Sequence, residues 1–182
     1  MRLISIFFGM ALFLSACAQE PVIEANYDAS QDFGTYQTFA WARDEPMDVL
    51  GLLGPTPRTA EKLLTGIRSN LESKGFAYTQ DRSAADFLVQ FTVGARDGVE
   101  VWNVPNDLSN RVWWGRSVYG TQSVAQTYTE GQLAIDIVDS ASQIPVWHGA
   151  ASKRMTPEEL NNPDPNVQTI IDDVLSSFPP DS

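Results

Sequence analysis

One cysteine, one histidine and 12 basic residues are all that this 182-residue chain offers of the groups that commonly carry chemistry. A single thiol excludes an internal disulfide, so the core must hold by packing. The missing Cys/His cluster and the missing H-E-x-x-H pattern leave no expected metal site. No G-x-S-x-G elbow, phosphate-cradling glycine loop or dinucleotide fingerprint occurs, and no cofactor is expected. The basic residues form no cluster. Set against 23 acidic residues they leave a net charge of −11, a surface that repels nucleic acid and anionic headgroups alike. The longest apolar run, Leu3 to Leu14, falls short of the ~20 residues that cross a bilayer.

That run has a different meaning. Arg2 precedes it and small residues follow, the layout of a secretory signal. Where an A-x-A cleavage site would stand, the chain reads Leu14-Ser15-Ala16-Cys17. This resembles the lipobox of bacterial lipoproteins, in which the thiol takes a diacylglycerol and cleavage leaves the cysteine as the new N-terminus. An unpaired thiol in a secreted chain is a reactive liability that acylation removes. Residues 1–16 are therefore expected to be a cleaved signal, Cys17 the lipidation site, 17–21 a short tether, and 22–182 one domain. Loss of Arg2 takes the net charge to −12. Two or three acyl chains, each methylene contributing ~0.8 kcal/mol, anchor the protein to the membrane. Ala18, rather than Asp, follows the cysteine; by analogy with enterobacterial sorting this favours the outer membrane, facing the periplasm.

Within the domain, Val22 to Asp28 and Tyr36 to Trp41 read as strands, the second with Phe39 and Trp41 on one face. Residues 43–57 read as a loop. Thr56 and Pro57 open a helix with apolar positions at Ala60, Leu63, Leu64, Ile67 and Leu71, closed by Gly75 and Phe76. Phe87, Val89, Phe91 and Val93 alternate with Leu88, Gln90 and Thr92 as a half-buried antiparallel strand. A turn at Ala95–Gly98 is expected to return it as Val99–Val104. Val124–Tyr128, Gln132–Asp139 and Ile144–Lys153 read as further strands. A last helix, capped by Asp164 with Pro165 after it, carries Val167, Ile170, Ile171, Val174 and Phe178. The expected fold is α+β: a two-layer sandwich, an antiparallel sheet with two helices packed on one face.

Several segments, in order, resemble the DUF4136 family of bacterial lipoproteins. They are Asp32-Phe33-Gly34-Thr35-Tyr36-Gln37-Thr38-Phe39-Ala40-Trp41, Ala84 to Val89, Gly131 to Asp139, Val146-Trp147-His148-Gly149-Ala150-Ala151, and the closing stretch from Ile171 to Pro180. The chain departs from the family pattern at His148, where Arg or Lys is usual, and in a Trp-rich insert around 105–120. The resemblance implies a membrane-tethered domain of no established activity.

No catalytic residue is assigned. His148 lies mid-strand without the partners a general base or metal ligand needs. Asp136 and Asp139, three apart on a strand, face opposite ways; Asp139 is expected to open a turn through its side chain. Asn161-Asn162-Pro163-Asp164 lacks the spacing of a calcium loop. The candidate binding surface is aromatic: Trp102, Trp113, Trp114 and Tyr119 around Arg111 and Arg116, residue types enriched where proteins bind partners or meet the membrane interface. The alternative, slightly favoured, is a loop folded back to cap the open sheet face and bury its tryptophans. The expected function is non-catalytic binding of an envelope protein or cell-wall component near the membrane. The second reading is an apolar-ligand or lipid carrier with a pocket under the Trp-rich segment.

Overall fold

The alternation from Phe87 to Val93 becomes the spine of a sheet. The computed structural model describes residues 20–51, 54–106, 120–162 and 166–180. Its strands are β1 (Val22–Tyr27), β2 (Thr38–Trp41), β3 (Met47–Leu50), β4 (Ala77–Tyr78), β5 (Phe87–Asn106), β6 (Gly120–Asp139) and β7 (Pro145–Met155). The helices are α1 (Pro57–Ser73), α2 (Pro157–Asn161) and α3 (Val167–Leu175). Among the described residues the strands form one sheet in the order β1-β7-β6-β5-β2-β4, with β3 also paired to β5.

Register decides which side chains meet. Val89 lies opposite Ile137, Phe91 opposite Ile135 and Val93 opposite Leu133. On β7, Trp147, Gly149 and Ala151 continue the same rows. One core cluster joins Val89, Phe91, Leu133, Ile135, Ile137, Trp147 and Ala151, with Val93 packed against them, to Leu63, Ile67 and Leu71 of α1 and to Val167, Ile171 and Val174 of α3. The α+β class expected from the pattern is the class that forms.

Helix α1 follows its sequence signals. Thr56 caps it by accepting from the Thr59 N–H at 3.2 Å, and Pro57 occupies the first turn. At the other end Gly75 adopts φ +100°. Its N–H bonds the Glu72 carbonyl at 3.0 Å, while the Phe76 N–H bonds that of Leu71 at 3.2 Å. These two bonds make a Schellman cap, which needs the left-handed conformation glycine tolerates.

The sheet is mixed, not antiparallel throughout. β2 runs parallel to β4 and β5, and β3 parallel to β5. The cause is α1: a helical crossover between strands of one sheet returns the chain in its starting direction. The stretch read as a loop at 43–57 contains β3, whose end comes so near β5 that a Cβ on Gly94 would lie 2.1 Å from the Leu50 carbonyl oxygen. There are three described helices, not two. The short α2 is fixed by a capping box between Thr156 and Glu159.

The turn expected at Ala95–Gly98 is absent, and Val99–Val104 is not a partner of the preceding strand but its continuation. β5 pairs without a register shift along its whole length with β6, which likewise joins the two strands read separately at Val124–Tyr128 and Gln132–Asp139. Cross-strand partners hold the would-be turn straight. Arg96 bridges Glu130 at 2.7 Å, and Thr129 donates to Asp97 at 2.8 Å. Before α3 the helix-cap position falls at Asn166, which makes no side-chain cap bond; Asp164 and Pro165 lie outside the described residues.

Aromatic rings tie the ends of the chain to its middle. Phe178 meets Phe33, Phe76, Phe87 and Trp147 at centroid distances of 5.9, 5.6, 5.6 and 5.3 Å. It is 1% exposed. Phe178→Ala should therefore cost about 3–5 kcal/mol, through lost burial and the cavity left behind. Chemical denaturation followed by circular dichroism measures this; a loss below about 1 kcal/mol would mean that the rings are not a unit.

Candidate functional site

An apolar cleft of about 310 Å³ opens where β5, β6 and β7 leave the core. Its floor is the far end of the core face, Val93, Leu133 and Ala151; α1 supplies Leu63, α3 supplies Val167 and Ile170, and α2 supplies Leu160. Pro21, immediately before β1, also lines it. The cleft exists because the helices begin at this end of the sheet and their first turns do not close over the last core row.

One polar network stands in its wall. Lys153 of β7 pairs with Glu159 of α2, both side chains about 85% shielded from solvent. Glu159 Oε1 also accepts from Asn166 Nδ2 at 2.8 Å, and its Oε2 from the Thr156 N–H at 3.0 Å. The Lys153 ammonium, above all, holds the Glu159 carboxyl below its ordinary value. A group depressed in this way stabilises the fold above its unfolded pKa and loses that contribution as pH falls through the folded one. Glu159→Gln leaves Lys153 unpaired and should lower stability at pH 7 by about 1–3 kcal/mol. The gap between wild type and variant should close as the pH drops below the ordinary glutamate value of 4.5. Paired thermal melts from pH 7 to 3 check this; a gap independent of pH would remove the ion pair from the account.

The other carboxylates of note are engaged in structure. Asp86 Oδ2 accepts from the N–H groups of Gln37 at 2.9 Å and Thr38 at 2.8 Å, which draws its pKa down and locks β2 to β5. Asp139 takes the Ser142 N–H at 2.6 Å, opening the β6–β7 turn as its sequence position suggests, and is likewise lowered. Tyr36 donates its hydroxyl to Asp139 at 2.9 Å; burial first, then that carboxylate, raises the phenol beyond any ordinary titration. These groups line a shallow polar hollow. Their bonds to backbone and to one another leave none poised to trade protons near neutral pH.

His148 is less isolated than its sequence context implies. It sits directly across β6–β7 from Asp136, and its Nδ1 lies 2.7 Å from Asp136 Oδ1. Spacing along the chain could not reveal this pair, because it depends on hairpin register. The two residues lie on the sheet face away from the core, His148 half exposed, and neither lines the cleft or the polar hollow. Asp136 and Asp139 do point to opposite faces.

Of the aromatic and basic residues singled out as a binding surface, the structure describes one. Trp102 lies on β5 with 38% of its surface exposed, opposite Val124 of β6. Arg111, Trp113, Trp114, Arg116 and Tyr119 lie outside the described residues, as does Cys17. Trp102 does not line the cleft. The apolar cleft therefore sits among the helix starts, a place that sequence reasoning missed because it arises between the ends of separate elements. Among the described residues no group of three potential metal ligands occurs, and no helix is long and apolar enough to cross a membrane.

An open mixed sheet, helices sharing its core and an apolar cleft at one end define an α+β domain built around a hydrophobic site. The chain belongs to the DUF4136 family, described as a domain of unknown function, whose model matches residues 23–180. A DUF4136 family protein from Bacteroides thetaiotaomicron has a similar fold, with a TM-score of 0.56 at 17% identity over 87% of this chain and 96% of that one. So does part of a PDZ domain protein from Parabacteroides distasonis, with a TM-score of 0.54 at 12% identity over 90% of this chain and 37% of that one. No curated protein matches the chain.

Proposed function

We propose that the protein is an outer-membrane lipoprotein, anchored through Cys17 and facing the periplasm. Its two-layer domain binds an apolar, acyl-bearing ligand in the cleft and catalyses no reaction. The observation that carries this reading is the cleft itself. It is walled by Leu63, Val93, Leu133 and Ile170, and its one charged pair is spent on holding α2 in place. Ligand pockets start at about 300 Å³ and combine apolar walls with a few fixed polar groups. Asn166 supplies such a group at the rim. The anchor is supported by the lipobox-like Leu14-Ser15-Ala16-Cys17 and by the use of the only cysteine there.

A fluorescent fatty acid with a conjugated polyene tail tests the cleft. The mature Cys17→Ser chain should take it up saturably, and Ile170→Trp, which narrows the cleft, should weaken uptake at least tenfold. No saturable uptake, or equal uptake by the narrowed variant, would remove the reading. Intact-mass measurement of native protein tests the anchor separately: Cys17 should carry a diacylglyceryl group.

A second reading, contact with an envelope protein or cell-wall component, is favoured by the sheet face turned away from the core. Gln90, Thr92, Gln132 and His148 share that face and make it polar, suited to hydrogen bonding rather than to apolar burial. Photo-crosslinking from Thr92 in intact cells should then yield one recurrent adduct.

A further inference from the structure

The lengths of two segments that leave the same end of the sheet do not match. Val22, the start of β1, pairs with Ser152; Ser152 pairs with Gln132, and Gln132 with Gly94. The start of β1 is thus level with Gly94, and the chain running back from Val22 toward Cys17 sets off in the direction in which β5 runs on from Gly94. β5 continues to Asn106, among the described residues paired only with β6 once β3 has ended opposite Gly94 and β7 opposite Thr129. Twelve residues at about 3.3 Å each make a ribbon of roughly 40 Å. The five steps from Val22 back to Cys17 span at most about 18 Å. With Cys17 held at the bilayer by its acyl chains, as the anchor reading has it, the ribbon is longer than the gap it would have to stand in.

We infer that this ribbon lies in the interfacial layer of the membrane, with a lipid surface as its partner. Its composition fits. Val99, Val101, Trp102 and Val124 are all exposed, at 62%, 61%, 38% and 36%. Val99 and Val101 occupy one face, and the cross-strand pair Trp102 and Val124 the other. The base carries Arg96, Asp97, Glu100 and Glu130, but residues 101–106 and 120–128 include no ionisable Asp, Glu, Lys, Arg or His. In a chain of net charge −11, this stretch is free of the repulsion that anionic headgroups exert on the rest. The ribbon's outer edges set the depth. Backbone groups with no strand beside them cannot enter hydrocarbon, but water and headgroups satisfy them in the interface, the layer Trp also favours.

The test uses the native acylated protein in vesicles of phosphatidylethanolamine and phosphatidylglycerol. With the Cys17 sulfur acylated, Val101→Cys provides the only free thiol for an environment-sensitive fluorophore, and Ala141→Cys, in the β6–β7 turn at the opposite end of the sheet, provides the control. Phospholipids carrying a nitroxide near the headgroup should quench the label at 101 at least fivefold more than the label at 141. A second label at Val124→Cys should follow the first, which guards against a local effect of one substitution. Equal quenching at both ends overturns the inference. So does a label at 101 that is shielded only as protein density on the vesicles rises, since that assigns the ribbon to a neighbouring protein. Intact mass of the same sample separates the two claims: a protein without acyl groups sinks the anchor reading and the inference with it, whereas an acylated protein with an unquenched ribbon sinks the inference alone.

Discussion

Phe178 reaches the core from the last turn of the chain and is received by rings from three distant places: Phe33 before β2, Phe76 after α1, and Phe87 with Trp147 in the sheet. Phe87 in turn stacks on Phe39 at 5.7 Å and meets Tyr36 at 5.2 Å. Large rings bury more apolar area per residue than aliphatic side chains, and their edges and faces impose geometry as well as burial. In a chain without a disulfide, this cluster is what closes the fold upon itself. It fills one end of the space between sheet and helices. The other end is lined mainly by aliphatic side chains, with the Lys153–Glu159 pair in its wall, and there the space remains open as the cleft.

The carboxylates follow a similar division. Asp86 and Asp139, at the ring-filled end, are saturated by backbone N–H groups and fasten β2 and the β6–β7 turn. Glu159, at the open end, is saturated by Lys153, Asn166 and the Thr156 N–H and fastens α2. A buried ion pair contributes little net stability, but removal of one partner strands the other. Its value here is positional: it sets α2 against the mouth of an otherwise apolar space. Asp136 and His148, on the outer face, are satisfied by each other and remain reachable by water.

Local signals were legible wherever one segment determines its own shape. The Thr56–Pro57 start and Gly75–Phe76 end of α1 are written in residue types that satisfy orphan backbone groups, and the structure uses them for that purpose. The alternation at Phe87–Val93 revealed the face that meets the helices, but not that Leu88 on the other face is buried as well, beside Ala40 and Ala85. What stayed hidden depends on a partner. Arg96, Asp97 and Gly98 look like a turn until Glu130, Thr129 and Tyr128 stand opposite them, and Met47–Leu50 becomes a strand only because β5 offers an edge. The parallel pairing of β2 and of β3 with β5 follows from a crossover that no four-residue window contains. The cleft is further removed still, being a space between the ends of elements rather than a property of any one of them. Of the proposed aromatic surface only Trp102 lies among the described residues, and it belongs to the ribbon, not to the cleft.

The unbroken pairing of β5 with β6 makes cleft floor and ribbon a single piece of sheet. The segments that floor the cleft, at Val93 and Leu133, pass into the ribbon without a bulge or a change of register. Among the described residues the floor of the cleft and the ribbon are therefore parts of one continuous hydrogen-bonded ladder, and a one-residue slip in its register would turn the side chains of both to the opposite face.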